Sequence, residues 1–105
     1  MALFHDSDTE TVEKTREEIK EPAMYRVLLH NDDYTTMDFV VGVLELIFYK
    51  SYEAAVQIML DVHKQGIGVC GVYTLEVAET KVNTVTVWAG ERGFPLKCTM
   101  EEDTP

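Results

Sequence analysis

The run His30, Asn31, Asp32, Asp33, Tyr34, Thr35, Thr36, Met37 gathers hydrogen-bond acceptors into one short stretch between two apolar segments. Asn31 offers a carbonyl oxygen and Asp32 and Asp33 offer carboxylates, so the stretch suits a cationic group that donates several hydrogen bonds, such as an ammonium. His63 ends an apolar helical pattern further along and would join this loop if its helix packed alongside. Together these residues point to a small cationic ligand with an apolar neighbour. Taken one by one they have plainer readings. Asn, Asp and Thr are ordinary turn and cap residues, a histidine can end a helix without binding anything, and Met37 and Met59 at helical spacing can simply fill a core. The rival chemistry is an enzyme's metal or acid/base site made from Asp32, Asp33 and His63. Its support is thin: the loop lacks the Gly and terminal Glu of a calcium-binding loop, and one His beside two carboxylates is a sparse zinc set.

The elements that must position these groups follow from periodicity. Met24 to Leu29 alternates in the manner of a half-buried strand and runs into the polar loop. Thr35 or Thr36 can cap a helix whose apolar positions Phe39, Val40, Val43, Leu44, Ile47 and Phe48 recur at three and four, running to about Tyr49. Ser51 is expected to cap a second helix through Val56, Met59, Leu60 and His63, closed by Gly66. Ile67 to Tyr73 is expected to form a strand. Thr74 is expected to cap a third helix carrying Val77, Ala78, Lys81, Val82 and Val85, with Gly90 marking its end. Val82 to Trp88 is rich in Val and Thr, as strands are, yet the flanking period favours helix. A last strand, Leu96 to Met100, follows Pro95. The expected fold class is therefore α+β, in the order β-α-α-β-α-β, with three helices on one face of a three-stranded antiparallel sheet.

A chain of 105 residues holds one compact domain. Residues 1–22 mix charged and hydroxyl side chains with few apolar ones and read as a disordered acidic arm, with at most a transient charge-paired helix from Thr11 to Lys20. The domain is expected over 23–102 and a short tail over 103–105. A net charge of −10 argues against nucleic acid and anionic membrane surfaces, whose partners need clustered Lys and Arg. No apolar run approaches a membrane span and the start lacks the pattern of a secretory signal, so a cytoplasmic location is expected. Cys70 and Cys98 form no CxxC pair and read as two buried free thiols.

Three segments, LLHNDDYTTMDFVVGVL, AAVQIMLDVHKQGIGVCGVYTLEVAETKV and FPLKCTMEE, together resemble the ClpS family, adaptors that hand N-degron substrates to a Clp unfoldase. The resemblance spans residues 23–102 and rests on the NDDYT loop, the VHKQG turn and the CGVYT and EVAETK runs in order. It implies binding of proteins that begin with Leu, Phe, Tyr or Trp, the free α-amino group being the cation. By motif position Asn31, Asp32 and His63 would hold the amine, and Asp33 would shape the loop or add charge. Leu29, Thr35, Met37, Val40, Met59, Val62 and Leu96 would line an apolar pocket, with Met37 excluding side chains branched at the β carbon. The resemblance also implies contact of Glu76, Glu79, Thr80 and Lys81 with the N-terminal domain of a Clp AAA+ unfoldase, a monomeric adaptor, no catalytic residue, and no cofactor or metal. The arm would assist delivery. One departure from the family pattern is Thr36, where Pro is usual; Thr can cap the helix instead. Neutral His63 can accept a bond from an ammonium, so binding is expected to weaken as His63 takes up a proton.

Overall fold

Tyr25, Val27 and Leu29 alternate with Met24, Arg26, Leu28 and His30, and the alternation becomes the central strand of a sheet. The computed structural model describes residues 22–104, so the expected arm and its Thr11 to Lys20 helix lie, Pro22 aside, outside the described residues. Strand β1 is Met24–His30, followed by α1 (Met37–Leu46), α2 (Tyr52–Gln65), β2 (Ile67–Thr74), α3 (Leu75–Glu91) and β3 (Lys97–Glu102). The three strands form one antiparallel sheet in the order β2-β1-β3, which is the expected α+β arrangement. Val27 and Leu29 enter the main apolar core with Val43, Leu44, Ala55, Cys70, Ala78 and Val85. Leu28 is buried but lies outside that core, paired in register with Val69 and Thr99.

Helix α3 contacts all three strands, α2 contacts β2, and α1 packs on α2. The approach of α2 to β2 is close enough to require glycine: a Cβ on Gly68 would lie 2.6 Å from Val62 Cγ2 and 3.1 Å from the Ile58 carbonyl oxygen. Thr36 and Ser51 cap α1 and α2, accepting from the N–H groups of Phe39 and Ala54, each at 3.2 Å. The ambiguous Val82 to Trp88 segment is helical. Its threonines, Thr84 and Thr86, are accommodated because they donate their hydroxyls to carbonyls four residues earlier, at 2.8 and 2.9 Å, as Thr80 does one turn before at 3.0 Å.

The structure corrects several expected boundaries. Helix α1 stops at Leu46 rather than near Tyr49, because Tyr49 takes a left-handed φ of 53° and the Lys50 N–H turns back to the Leu44 carbonyl at 3.1 Å. Thr74 holds the N-cap position of α3 but makes no side-chain cap bond. Gly90 lies inside α3; the left-handed residue is Gly93, with φ 70°, and the Gly93 and Phe94 N–H groups bond the Gly90 and Ala89 carbonyls at 3.1 and 2.9 Å. This pair of bonds is the Schellman arrangement, displaced from the glycine that the periodicity favoured. The final strand starts at Lys97, one residue after Leu96, and continues to Glu102.

Cys70 and Cys98 are free and buried. Burial pushes both thiols up, Cys98 to about 12, so neither is an available nucleophile near neutral pH.

Candidate functional site

The acceptor loop joins β1 to α1 and is shaped by its own carboxylate. Asp32 Oδ1 accepts from the N–H groups of Tyr34 and Thr35 at 2.8 and 2.7 Å, and Oδ2 accepts from the Thr35 hydroxyl at 2.7 Å. Partial burial works to raise the Asp32 pKa, but the Thr35 hydroxyl and the two backbone donors outweigh it and hold the carboxyl below its ordinary value. Asp32 therefore stays charged while it fixes the loop.

A second tie brings the loop to α2. Gly66 ends α2 with φ 87° and sends its N–H to the Val62 carbonyl at 3.0 Å, while its own carbonyl accepts from the Asn31 N–H at 2.9 Å. A left-handed residue is needed to turn the chain so sharply at this point. His63 lies in the last turn of α2 and Asn31 in the loop, and this bond joins their two segments.

A cavity of about 270 Å³ opens at this junction. Its polar rim is Asn31, Asp32, Asp33 and His63; its walls are Thr35, Met37, Val40, Met59 and Val62. Two expected wall residues are absent from the lining. Leu29 is fully buried in the core, and Leu96 is buried against a separate cleft that includes Ala89 and Phe94. The volume is at or below the low end of ordinary small-molecule sites, roughly 300–1,000 Å³. Such a space takes one large side chain, with a cation at the rim. Among the described residues no group of three or more His, Cys, Asp and Glu side chains is arranged to hold a metal ion.

The α3 residues singled out in the sequence lie apart from this cavity. Glu76, Glu79 and Thr80 are exposed. Lys81 is turned inward: its Nζ donates to the Ile47 carbonyl at 2.6 Å and lies 5.6, 4.8 and 5.1 Å from the ring centres of Phe48, Tyr49 and Tyr73. Sequence reading gave no sign of this cage, because its members are distant in the chain. Nor did it reveal the Gly66 carbonyl as the link between loop and helix.

Comparison with known proteins bears on the same region. The family model described as ATP-dependent Clp protease adaptor protein ClpS matches residues 20–99. The chain is 69% identical over 86 residues to the ATP-dependent Clp protease adapter protein ClpS of Oleidesulfovibrio alaskensis, covering 82% of this chain and 83% of that one. It is 62% identical over 87 residues to the Lawsonia intracellularis protein of the same description, covering 83% and 80%. It is also similar to the solved structure of Agrobacterium tumefaciens ClpS2 bound to L-phenylalaninamide, with a TM-score of 0.77 and 38% identity over 79% of this chain and all of that one.

Proposed function

Because the chain belongs to the ClpS family of ATP-dependent Clp protease adaptors, we propose that it captures proteins by a free N-terminus whose first side chain is Leu, Phe, Tyr or Trp and delivers them to a Clp AAA+ unfoldase. The observation that carries this reading is the junction of an acceptor rim with an apolar cavity sized for one side chain. The ligand of the similar Agrobacterium protein, L-phenylalaninamide, has the same two parts: an α-ammonium beside a benzyl group.

Asn31, Asp32 and His63 hold the ammonium, with Asp33 adding negative charge at the rim. Charge-assisted hydrogen bonds of this kind are stronger than neutral ones and fix the orientation of the bound end. Acetylation removes both charge and donors, and acceptors left unpaired in the complex add a penalty of about 1–3 kcal/mol. Thr35, Met37, Val40, Met59 and Val62 receive the side chain, and Met37 disfavours branching at the β carbon. Leu29 supports the walls from within the core. Leu96 does so through the neighbouring packing.

The unfoldase meets α3 at Glu76, Glu79 and Thr80, with Lys81 at the edge of that face. The adaptor acts as a cytoplasmic monomer and performs no chemistry of its own.

The test is fluorescence anisotropy with peptides that begin with Phe, Leu, Val or acetylated Phe and are otherwise identical. Tight binding of free Phe and Leu alone is the expected result. Equal binding of acetylated Phe, or no binding of free Phe, overturns the proposal.

A further inference from the structure

Met37 and Val40 bring α1 to the cavity, and Met37 is 49% exposed, so its position comes from the helix rather than from its own burial. Phe39, on the same first turn, is gripped from two directions. Its backbone N–H is capped by the Thr36 hydroxyl oxygen at 3.2 Å. Its ring meets Phe94 with centres 5.0 Å apart and planes tilted by 53°, and the Arg92 guanidinium carbon lies 5.4 Å from the same ring centre. Both partners come from the turn that ends α3. That turn is anchored to the core, since the Phe94 N–H bonds the carbonyl of buried Ala89.

Tilted aromatic contacts and cations over rings have geometric preferences, so the pair restrains where Phe39 sits as well as covering it. Resting on the reading above, we propose that Phe94 and Arg92 are positioning residues for the pocket. The turn after α3 sets the place of the Met37 wall and so the discrimination between a straight first side chain and one branched at the β carbon. Neither residue lines the cavity.

The experiment uses the full chain and three variants, Phe94→Ala, Phe94→Tyr and Arg92→Met, with two readouts. The first is the ratio of dissociation constants for peptides beginning with Val and with Phe. The second is the methyl carbon resonance of Met37, compared with that of Met59 on α2, in the protein without peptide. Phe94→Ala should lower the ratio about threefold to tenfold, the range one aromatic contact supplies. It should also move the Met37 resonance more than that of Met59, and Phe94→Tyr should restore both. Arg92→Met should produce the same changes at smaller size; because Arg92 is exposed, this variant decides the matter if Phe94→Ala does not fold.

An unchanged ratio and an unmoved Met37 resonance, with only the urea midpoint lowered, overturn the proposal in favour of plain packing. If the unaltered protein binds neither peptide, the proposed function fails. In that case the role in discrimination falls with it, while the Met37 resonance still decides whether the turn positions the wall.

Discussion

The Asp32 carboxylate has about four acceptor sites, and the backbone of Tyr34 and Thr35 with the Thr35 hydroxyl takes three of them. Under the proposed function the fourth takes part in holding the ammonium, so one side chain both holds the loop and adds charge at the amine site. Asp32→Asn keeps the size but loses the charge and turns an amide donor toward the Thr35 hydroxyl or toward the ligand. Anisotropy should record an affinity for a Phe-initiated peptide at least about tenfold weaker; an unchanged affinity would remove Asp32 from the amine site. The sign of its pH effect follows from the lowered pKa. Its stabilisation of the loop is complete above the ordinary value of 3.8 and is lost as pH falls through the lowered folded-state value. Asp32 is therefore silent between about pH 8 and about pH 5. Asn31, Asp32, Asp33 and His63 each have plainer readings as turn or helix-end residues, and it was the joint motif pattern that singled them out as one group, which the cavity brings together. Leu29 and Leu96 were named with the lining residues by motif position, and position in a motif does not tell a lining from the layer beneath it.

Helix α1 is held near both ends by cations from α3 and the turn that ends it. Arg92 lies over Phe39 in the first turn, and Lys81 reaches the carbonyl of Ile47 just past the last. The second contact compensates two costs, an end-of-helix carbonyl without an intrahelical donor and an aromatic residue in a left-handed conformation at Tyr49. Lys81→Met preserves most of the apolar stem and removes the ammonium. It should lower unfolding free energy by about 1–2 kcal/mol in urea titrations, from the lost charged hydrogen bond and the lost ring contacts. A change below a few tenths would mean that the cage is incidental to stability. Element type was readable throughout, including the contested Val82 to Trp88 segment. The ends were less so, because they depend on which residue turns left-handed. Tyr49 does so without being glycine, and Gly93 does so in place of Gly90.

At the scale of the molecule, α3 joins the separate surfaces. It contacts every strand, offers Glu76, Glu79 and Thr80 outward, and ends in the turn that braces α1. Pro22 and Ala23 line one cleft with Thr74, Leu75 and Glu76, so the chain enters the domain beside the first turn of that helix. Under the proposed function, the segment before Pro22 acts on the unfoldase from this side of the domain. Removing residues 1–20 should leave peptide binding and unfoldase binding intact. It should abolish degradation of a fluorescent protein with N-terminal Phe by the cognate Clp protease, and undiminished degradation would refute a delivery role. The order of elements was readable from periodicity; that one helix touches every strand and ends in the turn against Phe39 is a property of tertiary packing that no local pattern carries. The sheet holds one further consequence. Outer strand β2 exposes Ile67, Val69 and Val72, and its pairing with β1 is interrupted where one residue, Cys70, falls between Gly71 and Val69, the partners of Val27 and Leu28. Such a bulge bends and twists an edge so that a foreign strand cannot extend the ladder evenly. Under the proposed function, in which the chain meets proteins about to be unfolded, that irregularity works against co-aggregation with its own cargo.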